Sequence, residues 1–144
     1  MRHVLCADVV AESAFLCEYY LQFRGVGDRA QMILLPDIEA AVTRIKPQLA
    51  ISIHCMDECS FEAACWWIGL LRRKSVRYLM IVVNSSAQDG DRLLGVEPNG
   101  ERKDFAKAIA QAGYRVICRE PKYSDPLLQK FGVSPSQYSL FELQ

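Results

Sequence analysis

LLPDIEAAVTRIKPQLAISIHCMDECSFEAACWWIGLLRRKSVRYLMIVVNSS, residues 34–86, decides the fold class. Pro36-Asp37 opens a short helix to Lys46, with Ile38, Ala41, Val42 and Ile45 recurring at helical spacing. Pro47 ends it and leads into Leu49–Ile53, an apolar run of the length of a buried strand. Ser60 caps a third helix to about Lys74, whose closing Arg72, Arg73 and Lys74 suit the negative end of the helix dipole. Arg77–Val83 is the next buried strand. Such alternation belongs to a parallel sheet wrapped by helices, where ligands gather at the carboxyl ends of the strands.

The same rhythm continues outward. Towards the start, His3–Val10 reads as a first strand, followed by a helix from Glu12 or Ser13 to Arg24. Leu16, Tyr19, Tyr20 and Phe23 share one face of it, and Gly25 and Gly27 stop it. Ala30–Leu35 is a second strand. Beyond residue 86, Lys103–Ala112 reads as a fourth helix, Tyr114–Cys118 as a fifth strand and Asp125–Phe131 as a last helical turn or two. The expected architecture is a three-layer α/β sandwich with a five-stranded parallel sheet, flavodoxin- or receiver-like, in a single domain over 1–144. Residues 85–102 are too long for an ordinary βα connection and suit a lid, a binding loop or a short hairpin. Residues 132–144 form a short tail ending in Tyr138, Leu140 and Phe141.

Composition excludes several classes. Lysine plus arginine equals aspartate plus glutamate at 17 each, so no global field favours nucleic acid or an anionic membrane. No apolar run approaches the roughly 18–20 residues of a membrane span. Asp8 and Glu12 interrupt the apolar start, which argues against a signal peptide. The six cysteines are expected as free thiols of a cytoplasmic protein, with Cys6 and Cys118 in buried strands and Cys17 and Cys65 in helices.

Asp8 after the first strand, PDIEAAVTRIKPQLAISIHCMDE, and LMIVVNSS together resemble the receiver domain of bacterial response regulators, over most of residues 3–86. That resemblance implies an acid pair holding Mg²⁺, a phosphate-accepting aspartate, a hydroxyl residue and a lysine before proline. Here Val9 stands in the second acid's place, Ile53 or His54 in the acceptor's, Ser85 in the hydroxyl's, and Arg119 and Glu120 precede Pro121. The resemblance thus implies a pseudo-receiver: a signalling fold kept as a non-catalytic regulatory or interaction module, with no cofactor.

The third helix supplies the expected partner surface. Phe61, Ala64, Ile68 and Leu71 form its sheet-facing side, while Trp66 and Leu70, flanked by Ala63 and Trp67, lie opposite. A helix apolar on two sides is either buried twice or part of an interface, so a homodimer or another protein is the expected partner, unless the tail or the long loop covers the patch. The alternative is a metal-dependent hydrolase or nuclease. Asp8, Asp57, Asp89 and Asp91 all follow parallel strands, and converging acids hold Mg²⁺ or Mn²⁺ for phosphodiester cleavage. Small PIN-like and NYN nucleases build sites this way, and Lys103-Asp104-Phe105 ahead of AGYRV resembles the latter. A third reading is a polar-ligand crevice lined by Asp8, His54, Asn84 and Ser85. The run His54-Cys55-x3-Cys59-x5-Cys65 lacks the paired short spacings of a zinc site, so no metal is assigned to it.

Overall fold

The computed structural model describes residues 3–83, 92–131 and 137–144. They fall into two compact units, 1–47 and 48–144. In the first, β1 (Val4–Ala7) and β2 (Ala30–Ile33) pair in parallel, from Val4 against Ala30 to Ala7 against Ile33. Helix α1 (Ala11–Phe23) connects them. Gly25, at φ 63°, takes the left-handed turn that frees the chain from α1. The Glu18 carboxylate accepts from Gln22 and from the backbone N–H of Met32 (3.2 Å), tying α1 to β2. Those two donors, Gln22 first, hold its pKa below the usual glutamate value. A 3-10 turn (Leu35–Asp37) then leads into α2 (Ile38–Ile45), where Ile38, Ala41 and Val42 are buried as their spacing requires.

The face expected of α1 is not buried. Leu16, Tyr19, Tyr20 and Phe23 are exposed, and Ala14 is the buried residue of the helix. Two four-residue strands offer too little surface to cover thirteen helical residues.

The second unit contains β3 (Leu49–Ile53), α3 (Phe61–Arg73), β4 (Tyr78–Val82), β5 (Leu94–Val96), β6 (Arg102–Asp104), α4 (Ala106–Gln111), β7 (Tyr114–Pro121), α5 (Pro126–Phe131) and β8 (Gln137–Leu143). Its main sheet has the order β3-β4-β8-β7. β3 and β4 are parallel, whereas β8 runs antiparallel to both β4 and β7. The single five-stranded parallel sheet is therefore corrected to a parallel pair in one unit and a mixed four-stranded sheet in the other. The tail causes the difference. Ser139 and Phe141 are buried two residues apart, so QYSLFEL has strand periodicity and fills the gap between β4 and β7.

Two further boundaries move for local reasons. Lys103 and Asp104, expected in a helix, form β6 with Arg102 against β5, and Asp104 Oδ1 accepts the Ala106 N–H (2.8 Å) where α4 begins. The hairpin occupies the second part of the long 85–102 connection; the part at 84–91 lies outside the described residues. The core collects Ala64, Ile68, Leu70 and Leu71 of α3 with Leu79 and Ile81 of β4, Phe105, Ile109, Tyr114 and Phe141. Along β3 the alternate residues Leu49, Ile51 and Ile53 are exposed, although their apolar run reads as a buried strand. No helix among the described residues is long and apolar enough to cross a membrane.

Candidate functional site

The parallel strands of each unit end in a connection that carries chemistry. After β1, Asp8 accepts the Val10 N–H through Oδ1 at 2.9 Å, an Asx-type turn that fixes an exposed carboxylate ahead of α1. The turn Asp8-Val9-Val10 contains no glycine.

After β3, the connection His54–Ser60 is held along its whole length. His54 donates its N–H to Val82 O (2.8 Å), extending the β3–β4 ladder by one residue, and then takes φ 60°. A left-handed histidine is uncommon, and such strain persists where surrounding bonds over-determine it. Those bonds follow at once. Ser52 Oγ accepts the Met56 N–H (3.2 Å), Cys55 O accepts from Glu58 (3.2 Å), and Ser60 Oγ caps α3 by accepting from Ala63 (3.2 Å). The β5–β6 hairpin presses from outside: Val96 donates to Cys59 O (3.0 Å), and Glu97 Oε1 accepts the Phe61 N–H (3.0 Å). A Cβ on Gly95 would lie 2.7 Å from Cys59 O, which is why glycine stands there.

The half-buried His54 ring meets a residue that sequence reading passed over. Lys122 Nζ lies 3.3 Å from His54 Nε2. Lys122 follows Pro121, the last residue of β7, and β3 and β7 are the two edge strands of the sheet. Strands three places apart are separated by roughly 14 Å at about 4.8 Å per pairing. The contact therefore spans the carboxyl end of β4 and the start of β8. The available signal was positional: a cation directly after the last parallel-oriented strand.

Asp8 belongs to the first unit and Asp57, which is buried, to the second. Asn84, Ser85, Asp89 and Asp91 lie outside the described residues. Among the described residues no three His, Cys, Asp or Glu side chains assemble into a metal-binding group. A cavity of about 210 Å³ in the first unit is lined by His3, Ala30, Gln31 and Arg44, at the amino ends of β1 and β2 and so away from Asp8.

On α3 the expected interface is only partly exposed. Trp66 remains exposed, edge-on to Trp67 at 4.9 Å between centroids, and Ala63 and Trp67 are half-buried. Leu70, assigned to the outer face, is fully buried. α4 and the β5 strand pack on α3, so the second apolar side is largely taken up by the hairpin and helix that follow the long loop. All six cysteines are free, as expected, but Cys118 is exposed rather than buried. Burial raises the thiol pKa of Cys65, and of Cys6, where Cys17 adds to the effect.

No protein-family pattern and no curated protein sequence matches the chain. Solved structures do share its fold. Magnesium protoporphyrin IX methyltransferase from Synechocystis PCC 6803 with bound S-adenosylmethionine superposes with a TM-score of 0.60 at 9% identity, covering 99% of this chain and 60% of that one. An O-methyltransferase from neocarzinostatin biosynthesis, in complex with S-adenosylhomocysteine and 1,4-dihydroxy-2-naphthoic acid, gives 0.62 at 13% identity, covering 99% and 42%. The cyclase SpnF gives 0.63 at 11% identity, covering 99% and 67%. The chain thus spans about half the length of such proteins, 51% for a Rossmann-superfamily protein from Streptococcus agalactiae.

The fold class these likenesses define is Rossmann-like α/β. The receiver resemblance is overturned by them, and with it the reading as a non-catalytic pseudo-receiver in signalling. The physical reason is visible in β8: the receiver reading required parallel strands throughout, and an antiparallel strand stands between β4 and β7. The structural likenesses lend no support to the PIN- or NYN-like nuclease alternative either. The expectation of no cofactor, or of Mg²⁺ or Mn²⁺, is corrected by neighbours whose complexes hold S-adenosylmethionine or its product.

Proposed function

We propose that this chain belongs to a group-transfer enzyme of the S-adenosylmethionine-dependent methyltransferase type. The supporting observation is the strand arrangement, with β8 antiparallel between β4 and β7, inside a fold shared along 99% of the chain with methyltransferases in cofactor and product complexes. Fold alone does not select a reaction, as the cyclase with the same architecture makes plain.

The residues present offer the cofactor a carboxylate but no glycine turn. In Rossmann-like sites the turn after the first strand is glycine-rich and lets the backbone approach the ligand, while an acid about 20 residues further on accepts the ribose hydroxyls. Asp8 stands in the first turn rather than at that later position, but it is exposed, it follows a parallel strand, and one of its oxygens anchors the turn at Val10, so it is the carboxylate we assign to the sugar. The glycine turn has no counterpart at Asp8-Val9-Val10, where Val9 and Val10 carry bulky β-branched side chains. Asp8 would therefore accept and orient the sugar without a glycine cradle beside it. When bound, S-adenosylmethionine supplies an activated methyl group. The chain's own further contribution is made at the His54–Ser60 connection, which holds a histidine rigidly at a strand end.

Calorimetric titration with S-adenosylmethionine and S-adenosylhomocysteine tests this reading. Binding of either is expected, with Asp8→Ala weakening it about tenfold or more through loss of charge-assisted hydrogen bonds. Absence of binding to both would overturn it.

A further inference from the structure

We propose that His54 and Lys122 form the acceptor-activating pair of this protein, taking an acidic hydroxyl group, a phenol or an enol, as substrate. The inference rests on the group-transfer reading for its biological use, but its own argument is local. His54 Nε2 and Lys122 Nζ are 3.3 Å apart, and both come from the carboxyl-end side of the sheet. The lysine ammonium has three donors and no acceptor, so in this contact it donates and the imidazole nitrogen accepts. That nitrogen is a base with a fixed cation beside it.

A neutral alcohol gains little from such a pair. A phenol or enol gains twice. Its O–H proton passes to Nε2, giving imidazolium, and the oxyanion left behind takes the Lys122 ammonium as its counter-ion in place of the Lys122–His54 hydrogen bond. The O–H bond breaks and an N–H bond forms, so charge and protons balance within the pair. A cation within about 4–6 Å of an acid lowers the acid's pKa by roughly 1–3 units. Lysine brings this charge as a compact point at the end of a flexible stem, and can follow the oxygen as it ionises.

Placement supports the same assignment. His54 is held by the Val82 carbonyl in a left-handed conformation, which sets where its ring leaves the strand. The ring is half-buried, reachable yet partly desolvated. Asp57 and Glu58 on the same connection, and Glu120 and Asp125 on either side of Lys122, are the acids of these two segments. Tyr123 lies under the Lys122 ammonium at 5.7 Å from its ring centroid.

The test uses 4-nitrophenol, whose ion absorbs in the visible, at millimolar concentration with the purified chain. Wild type is expected to shift the indicator's apparent pKa down by about one unit, close to a tenfold gain in ion at slightly acid pH. In weakly buffered solution this ion should form without matching proton release, because His54 takes the proton. Lys122→Met should abolish the shift and Lys122→Arg retain most of it. His54→Gln should keep a shift but release protons to the medium in step with it. Far-UV circular dichroism confirms that each variant is folded. An unchanged indicator spectrum with wild type, or an equal shift in Lys122→Met, overturns the pair. Cofactor titration reads the other proposal separately, since it depends on Asp8 and not on this pair.

Discussion

The two units use apolar residues in opposite ways. In residues 48–144 the large side chains close over one another: Phe105, Ile68, Leu70, Ile109 and Tyr114 are each at most 2% exposed. In residues 1–47 the buried set is Ala14, Ile38, Ala41 and Val42, while Phe15, Leu16, Tyr19, Tyr20 and Phe23 stand in solvent. Both helices run to thirteen residues, but the apolar residues of α3 gather on one side whereas those of α1 are spread around it. The surface each is offered differs as well. α3 has a four-stranded sheet, a hairpin and α4, whereas α1 has a pair of four-residue strands. Periodicity predicts a helix; burial depends on what the rest of the chain supplies.

The largest expected contrast is between two phenylalanines. Phe105→Ala removes a fully buried ring and should destabilise the second unit by about 3–5 kcal/mol. Phe23→Ala, at 75% exposure, should change stability by no more than about 0.5 kcal/mol. Urea unfolding followed by the fluorescence of Trp66 and Trp67 reads the first directly. Equal effects of the two substitutions would break the comparison.

Next comes Gly95→Ala. Its new Cβ would meet the Cys59 carbonyl at 2.7 Å, a backbone atom held by Val96, and neither partner can move alone. A loss of about 1–3 kcal/mol is expected by the same urea measurement, with hydrogen exchange quickening at Val96 and Phe61. The hairpin would then be shown to clamp the His54–Ser60 connection. Unchanged exchange there would detach the hairpin from the site.

Much of this arrangement was legible in the residues, and what was missed has physical causes. β3 is read correctly at both ends, because Pro47 and an unbroken apolar run mark it. The Ser60 cap is read correctly because serine ahead of an apolar periodic run has one main use. β8 was invisible as an inner strand: a seven-residue alternating segment after glycine and proline reads as a tail until a gap between two strands is known to need it. Lys122 was missed because the receiver resemblance directed attention to the position before Pro121. Asp8 was singled out in the receiver, metal-site and polar-crevice readings alike, since a strand-end acid by itself does not distinguish a metal from a polar ligand.

A smaller effect concerns Tyr114. Its hydroxyl donates to Val76 O at 2.6 Å inside the second unit. Tyr114→Phe should destabilise by about 1–2 kcal/mol, since the Val76 carbonyl loses its buried partner. Burial also raises the phenol's pKa above 10.0 in the folded protein. The folded chain therefore keeps this proton after the unfolded chain has lost it. The resulting stabilisation is complete below about pH 10 and is lost as pH rises through the raised value. Tyr114→Phe should flatten that alkaline fall in stability; an unchanged slope would assign it to other groups.

The smallest expected effect compares the two helix starts directly. α3 begins at Ser60, whose hydroxyl accepts the Ala63 N–H, while α1 begins at Val10, which offers no side-chain acceptor. Ser60→Ala should cost the second unit about 1 kcal/mol, and Val10→Ser should stabilise the first by a similar or lesser amount, each read by urea unfolding. The two changes act on the same kind of orphan N–H group but in settings of unlike packing. In α3 the cap supplements a helix that its core already holds. In α1, with so little buried, the backbone ends are a larger share of what keeps the helix formed. A gain at Val10 exceeding the loss at Ser60 would show that the first unit is limited by local helix stability. The reverse would place its limit in the small contact area of β1 and β2.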